Sequence, residues 1–140
     1  MSNVTFDGVL KLTLSGEQIS FIEQLELPPE AIRLKNKYLH VSLIHQTFLK
    51  DHRPVLKEKN KRGELLKAPA VVLSNDVEVR TDEESGRKSW VLWLENQEEI
   101  CDYVERFMED LTGVRFDPEP ERRYHVSIAN LTGNHGDSVK

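Results

Sequence analysis

Residues 37–46 read KYLHVSLIHQ, and residues 122–131 read RRYHVSIANL. Both stretches are rich in the β-branched and aromatic residues of strands, and both carry the same pattern of an apolar residue, His, Val, Ser and a second apolar residue. Side chains alternate between the two faces of a strand, so residues i and i+2 share a face. Leu39, Val41 and Leu43 therefore point to a core, while Tyr38, His40 and Ser42 point the other way. In the second stretch Tyr124, Val126 and Ile128 go inward, and Arg123, His125 and Ser127 share the opposite face. A lone strand histidine is more often a hydrogen-bonded core residue than a catalyst. Repetition of the whole pattern is hard to attribute to packing, because each buried imidazole needs its own polar partner.

Around these strands the rest of the chain arranges itself in two rhyming halves. Residues 5–14 alternate apolar positions with one slip in phase and predict an opening strand. Ser15 with Gln18 three residues on forms a capping box ahead of Ile19, Ile22 and Leu25 at helical spacing, and Pro28 and Pro29 stop that helix. The strongly charged stretch 48–66, with Pro54 inside it and KEKNKRGE after it, predicts a short helix or an irregular excursion with a solvated surface. Residues 70–80 and 88–95 are strand-like and flank a Ser85-Gly86 turn, which predicts a hairpin. Asn96 opens a second helix whose stripe of Ile100, Val104, Phe107, Met108 and Leu111 ends at Gly113. A proline-bearing loop, DPEPE, leads to the second His-x-Ser strand, and the tail TGNHGDSVK is expected to be a loop or frayed end.

Length and composition narrow the function. A chain of 140 residues predicts one domain, and 38% hydrophobic with 31% charged residues describes an ordinary globular composition. No apolar run approaches the length of a membrane helix, and the N-terminus lacks the pattern of a secretory signal, so a cytoplasmic protein without membrane association is expected. The formal net charge of −5 argues against a long nucleic-acid footprint but leaves room for a small anionic ligand held by local cations. The single cysteine, Cys101, excludes an internal disulfide and a multi-cysteine zinc site; on the apolar helix stripe it reads as a packing residue.

Two histidines, each with a hydroxyl two residues on, suit cleavage of a phosphodiester without metal. That reaction needs a base for the attacking oxygen, an acid for the leaving oxygen and donors for the phosphoryl oxygens. His40 and His125 can divide the first two tasks, and Ser42 and Ser127 can donate to the phosphate. A zinc centre fits less well: the repeated partner is a hydroxyl, and no H-E-x-x-H, cysteine pair or His-x-His is present. A Ser-His-Asp triad would leave one histidine unused, and no G-x-S-x-G elbow occurs. No metal and no cofactor are expected. Tyr38 and Arg123, by parity on the histidine faces, are candidates for contact with base and phosphate. Trp90 and Trp93 have opposite parity, so at most one can face a groove; Trp90 is the candidate for stacking on a base, against a core reading. His45, His52 and His135 have no echo and read as surface or structural.

The motifs HVSL at His40 and HVSI at His125 resemble the signature of the 2H phosphoesterase superfamily, which includes the LigT-like RNA ligases and cyclic phosphodiesterases. The resemblance covers essentially the whole chain. It implies an α+β fold of two pseudo-symmetric lobes of mainly antiparallel strands, with helices outside and both His-x-Ser strands in a central groove. It also implies a metal-independent monomeric enzyme acting on a nucleotide, a cyclic oligonucleotide or a short RNA end, with His40 and His125 as acid and base and Ser42 and Ser127 holding phosphate. Many relatives carry threonine where this chain has serine. The compact length is similar to phage-encoded members that destroy cyclic-oligonucleotide alarm signals, which would place the protein in a host cytoplasm. A binding module without turnover and an RNA-joining ligase are the competing expectations.

Overall fold

A computed structural model of the chain describes residues 3–44, 46–115 and 123–139. His45 and the expected proline-bearing loop lie outside these residues. The first departure from expectation comes at once: residues 5–14 are a hairpin, β1 (Val4–Phe6) and β2 (Leu10–Thr13), and the slip in phase is its turn. Gly8 at φ 105° provides the left-handed residue that this turn requires. Helix α1 (Gly16–Glu23) starts at Ser15, whose Oγ accepts from the Gln18 amide while Oε1 of Gln18 accepts from the Ser15 amide, the reciprocal pair the sequence predicts.

The short strand β3 (Ile32–Arg33) and a single 3-10 turn at Asn36–Tyr38 precede β4 (His40–Ile44). The charged stretch becomes α2 (Gln46–Leu49), a 3-10 turn and α3 (Arg53–Arg62), which admits Pro54 because the first turn of a helix needs no amide there. This segment is more than solvated surface: Leu56 is fully buried, and Asn60 accepts a hydrogen bond from the amide of Phe6, covering part of the edge strand. The hairpin β5 (Leu73–Thr81) and β6 (Lys88–Leu94), the helix α4 (Gln97–Thr112) and β7 (His125–Asn130) complete the chain as expected. Gly113 at φ 74° closes α4 in the left-handed conformation.

Among the described residues the strands form one seven-stranded antiparallel sheet in the order β1-β2-β4-β7-β6-β5, with β3 alongside β7. The protein is therefore α+β. One face of the sheet carries the core: Leu10, Leu12, Val41, Leu43, Trp90, Leu92, Val126 and Ile128 pack with Ile22 of α1, Leu56 of α3, and Ile100, Val104 and Phe107 of α4. Burying a side chain of this size contributes about 1.5–3 kcal/mol, so the alternation in the central strands strongly fixes which side chains remain on the other face.

The tail is also different from a frayed end. Asn130, fully buried, accepts at Oδ1 from the amides of Thr132 (3.0 Å) and Gly133 (2.6 Å) and donates from Nδ2 to the Asn134 carbonyl (2.6 Å) and to Ser138 Oγ (3.1 Å). All four bonding positions of this amide are used, and the segment after β7 folds into a fastened turn. It ends with the Val139 amide on Oγ of the buried Ser89, 2.7 Å away.

Candidate active site

Strands β4 and β7 lie side by side at the centre of the sheet, paired at Val41 and Val126. The antiparallel register sets the neighbours of that pair: His40 lies across from Ser127, and Ser42 lies across from His125. The two motifs thus interlock, each histidine facing the hydroxyl of the other strand. Opposed residues on one face of such a pair have Cβ atoms about 4.5–5.5 Å apart, so the register gathers the four functional groups on one patch of the sheet. Ser42 is exposed and His40, His125 and Ser127 are half-buried, whereas Val41 and Val126 beneath them are inaccessible.

His125 Nδ1 lies 3.3 Å from the carbonyl oxygen of Arg123, two residues earlier. A carbonyl only accepts, so this contact suits the tautomer that carries its proton on Nδ1. His40 differs: its Nδ1 is buried and makes no hydrogen bond among the described residues, although the Tyr38 backbone favours the protonated ring. Burial, more than any other influence, pushes the His40 pKa below its ordinary 6.5, followed by the charge on Lys11; Tyr38 and Asp7 act in the opposite direction, and His135 lowers it further. His40 is accordingly neutral at neutral pH, the state a general base requires.

The start of β7 is pinned from α4. Gln97 accepts the Tyr124 amide at 2.6 Å and donates to the carbonyls of Leu94 (2.9 Å) and Tyr124 (2.7 Å), closing the ladder beside His125. Trp93 pairs with His125 across the strands, and the rings meet edge to face at 5.4 Å. The guanidinium of Arg123 lies 4.0 Å over the Trp93 ring, which places Arg123 beside His125. Trp90 requires a correction: it is 2% exposed within the core, so the aromatic on the histidine face is Trp93. A register shift lies between Trp90 and Val91, and Trp90 keeps the parity of the core residues Leu92 and Leu94.

Tyr38 reaches the site by another route than parity, since it ends the 3-10 turn instead of lying in β4. Its ring stacks on His135 at 4.0 Å and an interplanar angle of 17°. His135, read from the sequence as an unrelated surface residue, is brought to the His40 side by the fastened tail. His52 begins α3. Sequence reading also missed Lys11 and Thr13, which are register partners of Ser42 and His40 on β2. Their signal is the alternation Leu10-Lys11-Leu12-Thr13, obscured when the hairpin turn is read as part of one strand. Among the described residues no group of three His, Cys, Asp or Glu side chains is placed to hold a metal ion, and no helix is long and apolar enough to cross a membrane. Cys101 is half-buried, and burial raises its thiol pKa, as suits a packing residue.

In comparisons with known proteins, no family model, curated protein or solved structure matches this chain.

Proposed function

We propose that this chain is a 2H-type phosphoesterase that cleaves a nucleotide phosphodiester without metal, using His40 and His125 as base and acid. The observation that carries this reading is the interlocked pairing of the two motifs across the Val41 and Val126 register, which gathers two imidazoles and two hydroxyls on one patch of the sheet. The order of strands supports it as well. Each half of the chain is a hairpin, a helix and a third strand that returns beside the second hairpin strand, and the halves meet through those third strands. That arrangement is what two pseudo-symmetric lobes around a shared groove would produce.

In this mechanism the neutral histidine removes the proton from the attacking oxygen, either water or a neighbouring ribose hydroxyl. The protonated histidine delivers its proton to the leaving oxygen as the P–O bond breaks. Ser42 and Ser127 donate to the non-bridging oxygens, whose charge grows in the transition state. The low pKa of His40 assigns it the base role, and His125 the acid role. Arg123 and Trp93 on one flank, with Tyr38 and His135 on the other, offer a cation and aromatic faces to the flanking nucleotide.

The test is a panel in excess EDTA of 2′,3′-cyclic mononucleotides, 3′,5′- and 2′,5′-linked oligonucleotides, and cyclic oligonucleotides. The reading predicts cleavage of at least one class with undiminished rate on chelation. Binding without cleavage across the panel would make the protein a recognition module, and activity restored only by added zinc or manganese would make it a metalloenzyme.

A further inference from the structure

The four groups of the His-x-Ser pair lack a permanent charge. Two hydroxyls are neutral, and two imidazoles in base and acid roles share one proton, whereas the bound phosphodiester is an anion on a chain of net charge −5. Arg123, stacked on Trp93, offers its cation on the His125 flank, so a fixed cation on the Ser42 side of the same face would correct this mismatch.

Lys11 has the position for it. It pairs with Ser42 across the β2 and β4 ladder, so its side chain leaves the sheet on the histidine face directly beside that hydroxyl. Directly opposed Cβ atoms are about 5 Å apart, within the span of a lysine stem. The side chain is largely covered, at 20% relative exposure, and its Nζ donates at 2.8 Å to Oδ2 of Asp7, which is 60% exposed in the hairpin turn. The ammonium is thus held near the site by a partner that water already reaches, an ion pair of low net worth that an anion can replace.

We infer that Lys11 is a third phosphate-holding group of this face, placing its ammonium on a non-bridging oxygen of the phosphoryl group bound by Ser42, with Asp7 as the positioning residue that parks it when the site is empty. The inference rests on the phosphodiesterase reading, yet it makes a binding claim that can be scored without turnover. It also accounts for the influence of Lys11 on His40, since one cation beside both groups holds the anion and favours the neutral imidazole.

The experiment measures binding of inorganic phosphate and the His40 imidazole titration by NMR in the wild-type chain and in Lys11→Met, Lys11→Arg and Asp7→Asn. Met keeps the covered stem, and Arg restores the charge. Lys11→Met is expected to weaken phosphate binding by about tenfold or more, Lys11→Arg to recover most of it, and Asp7→Asn to bind at least as well as wild type. The charges that act on His40 are those of Lys11 and Asp7 from the hairpin and His135 from the tail, and the titratable His125 lies diagonal to it on β7 and is unchanged in each variant. Its titration is therefore expected to move up in Lys11→Met and down in Asp7→Asn, opposite shifts that a structural disturbance would not produce. Phosphate affinity unchanged in Lys11→Met, or no phosphate binding by wild type, overturns the assignment. A Lys11-dependent phosphate site in a protein that cleaves nothing in the panel would retain Lys11 as a phosphate ligand and dismiss the enzyme; cleavage by wild type with phosphate affinity and KM both unchanged in Lys11→Met would do the reverse.

Discussion

His40 combines constraints that normally exclude one another. The proposed base role asks that it be exposed enough to reach a substrate and buried enough to stay neutral, and the central strand rests it half-buried above Val41 with Nδ1 turned into the protein. The consequence for stability has a definite sign. With the folded pKa below 6.5, protons bind the unfolded chain first as pH falls, so the His40 contribution is neutral above about pH 6.5 and becomes progressively destabilising below it. Denaturant melts of wild type and His40→Gln are expected to run parallel above pH 6.5 and to converge or cross on descent towards about pH 5, with wild type losing more stability. Parallel curves over the whole interval would show that burial does not depress this histidine. The same descent gives the acid limb of kcat/KM, which this account places below the ordinary histidine value because the base stays free of protons for longer.

At the scale of elements, the candidate site depends on segments outside the two His-x-Ser motifs. Gln97 at the start of α4 ties down the Tyr124 backbone one residue before His125, and Asn130 at the end of β7 fastens the tail that brings His135 to Tyr38. Asn130→Ala removes four hydrogen bonds from a fully buried position and leaves two amides and a carbonyl to find water. A loss of about 1–3 kcal/mol is expected in chemical denaturation, together with rapid hydrogen exchange at Thr132 and Gly133 and loss of the Tyr38 and His135 ring contact in NMR. Protected amides in the variant would mean that the tail is held by something other than Asn130. None of this could be read from the sequence, where Asn130 is a polar residue at a strand end and the tail is a run of Gly, Asn, Asp and Ser. A satisfied buried amide requires knowing where four separate partners converge, and all four lie in the segment that composition alone labels as loose.

For the molecule as a whole, the central strand pair was readable because two local rules agreed. Alternation decided which faces Val41, Val126, His40 and His125 occupy, and the repeated motif marked those faces as the candidate site before any pairing was known. What alternation could not give was the partner strand: the opposition of His40 to Ser127 and of Ser42 to His125 follows from a register between residues in different halves of the chain. The same blindness to pairing hid Lys11 beside Ser42 and reversed the roles of Trp90 and Trp93. The molecule works, on this account, because two hairpin, helix and strand units share one sheet and present their third strands to each other. Neither unit alone holds both an acid and a base, so the central claim is that both histidines are required together. The most direct measurement is cleavage in excess EDTA by wild type, His40→Ala and His125→Ala, each checked for an unchanged circular dichroism spectrum. The account predicts that wild type turns over and that each variant loses about 10²-fold or more while remaining folded; full activity in either folded variant would contradict it.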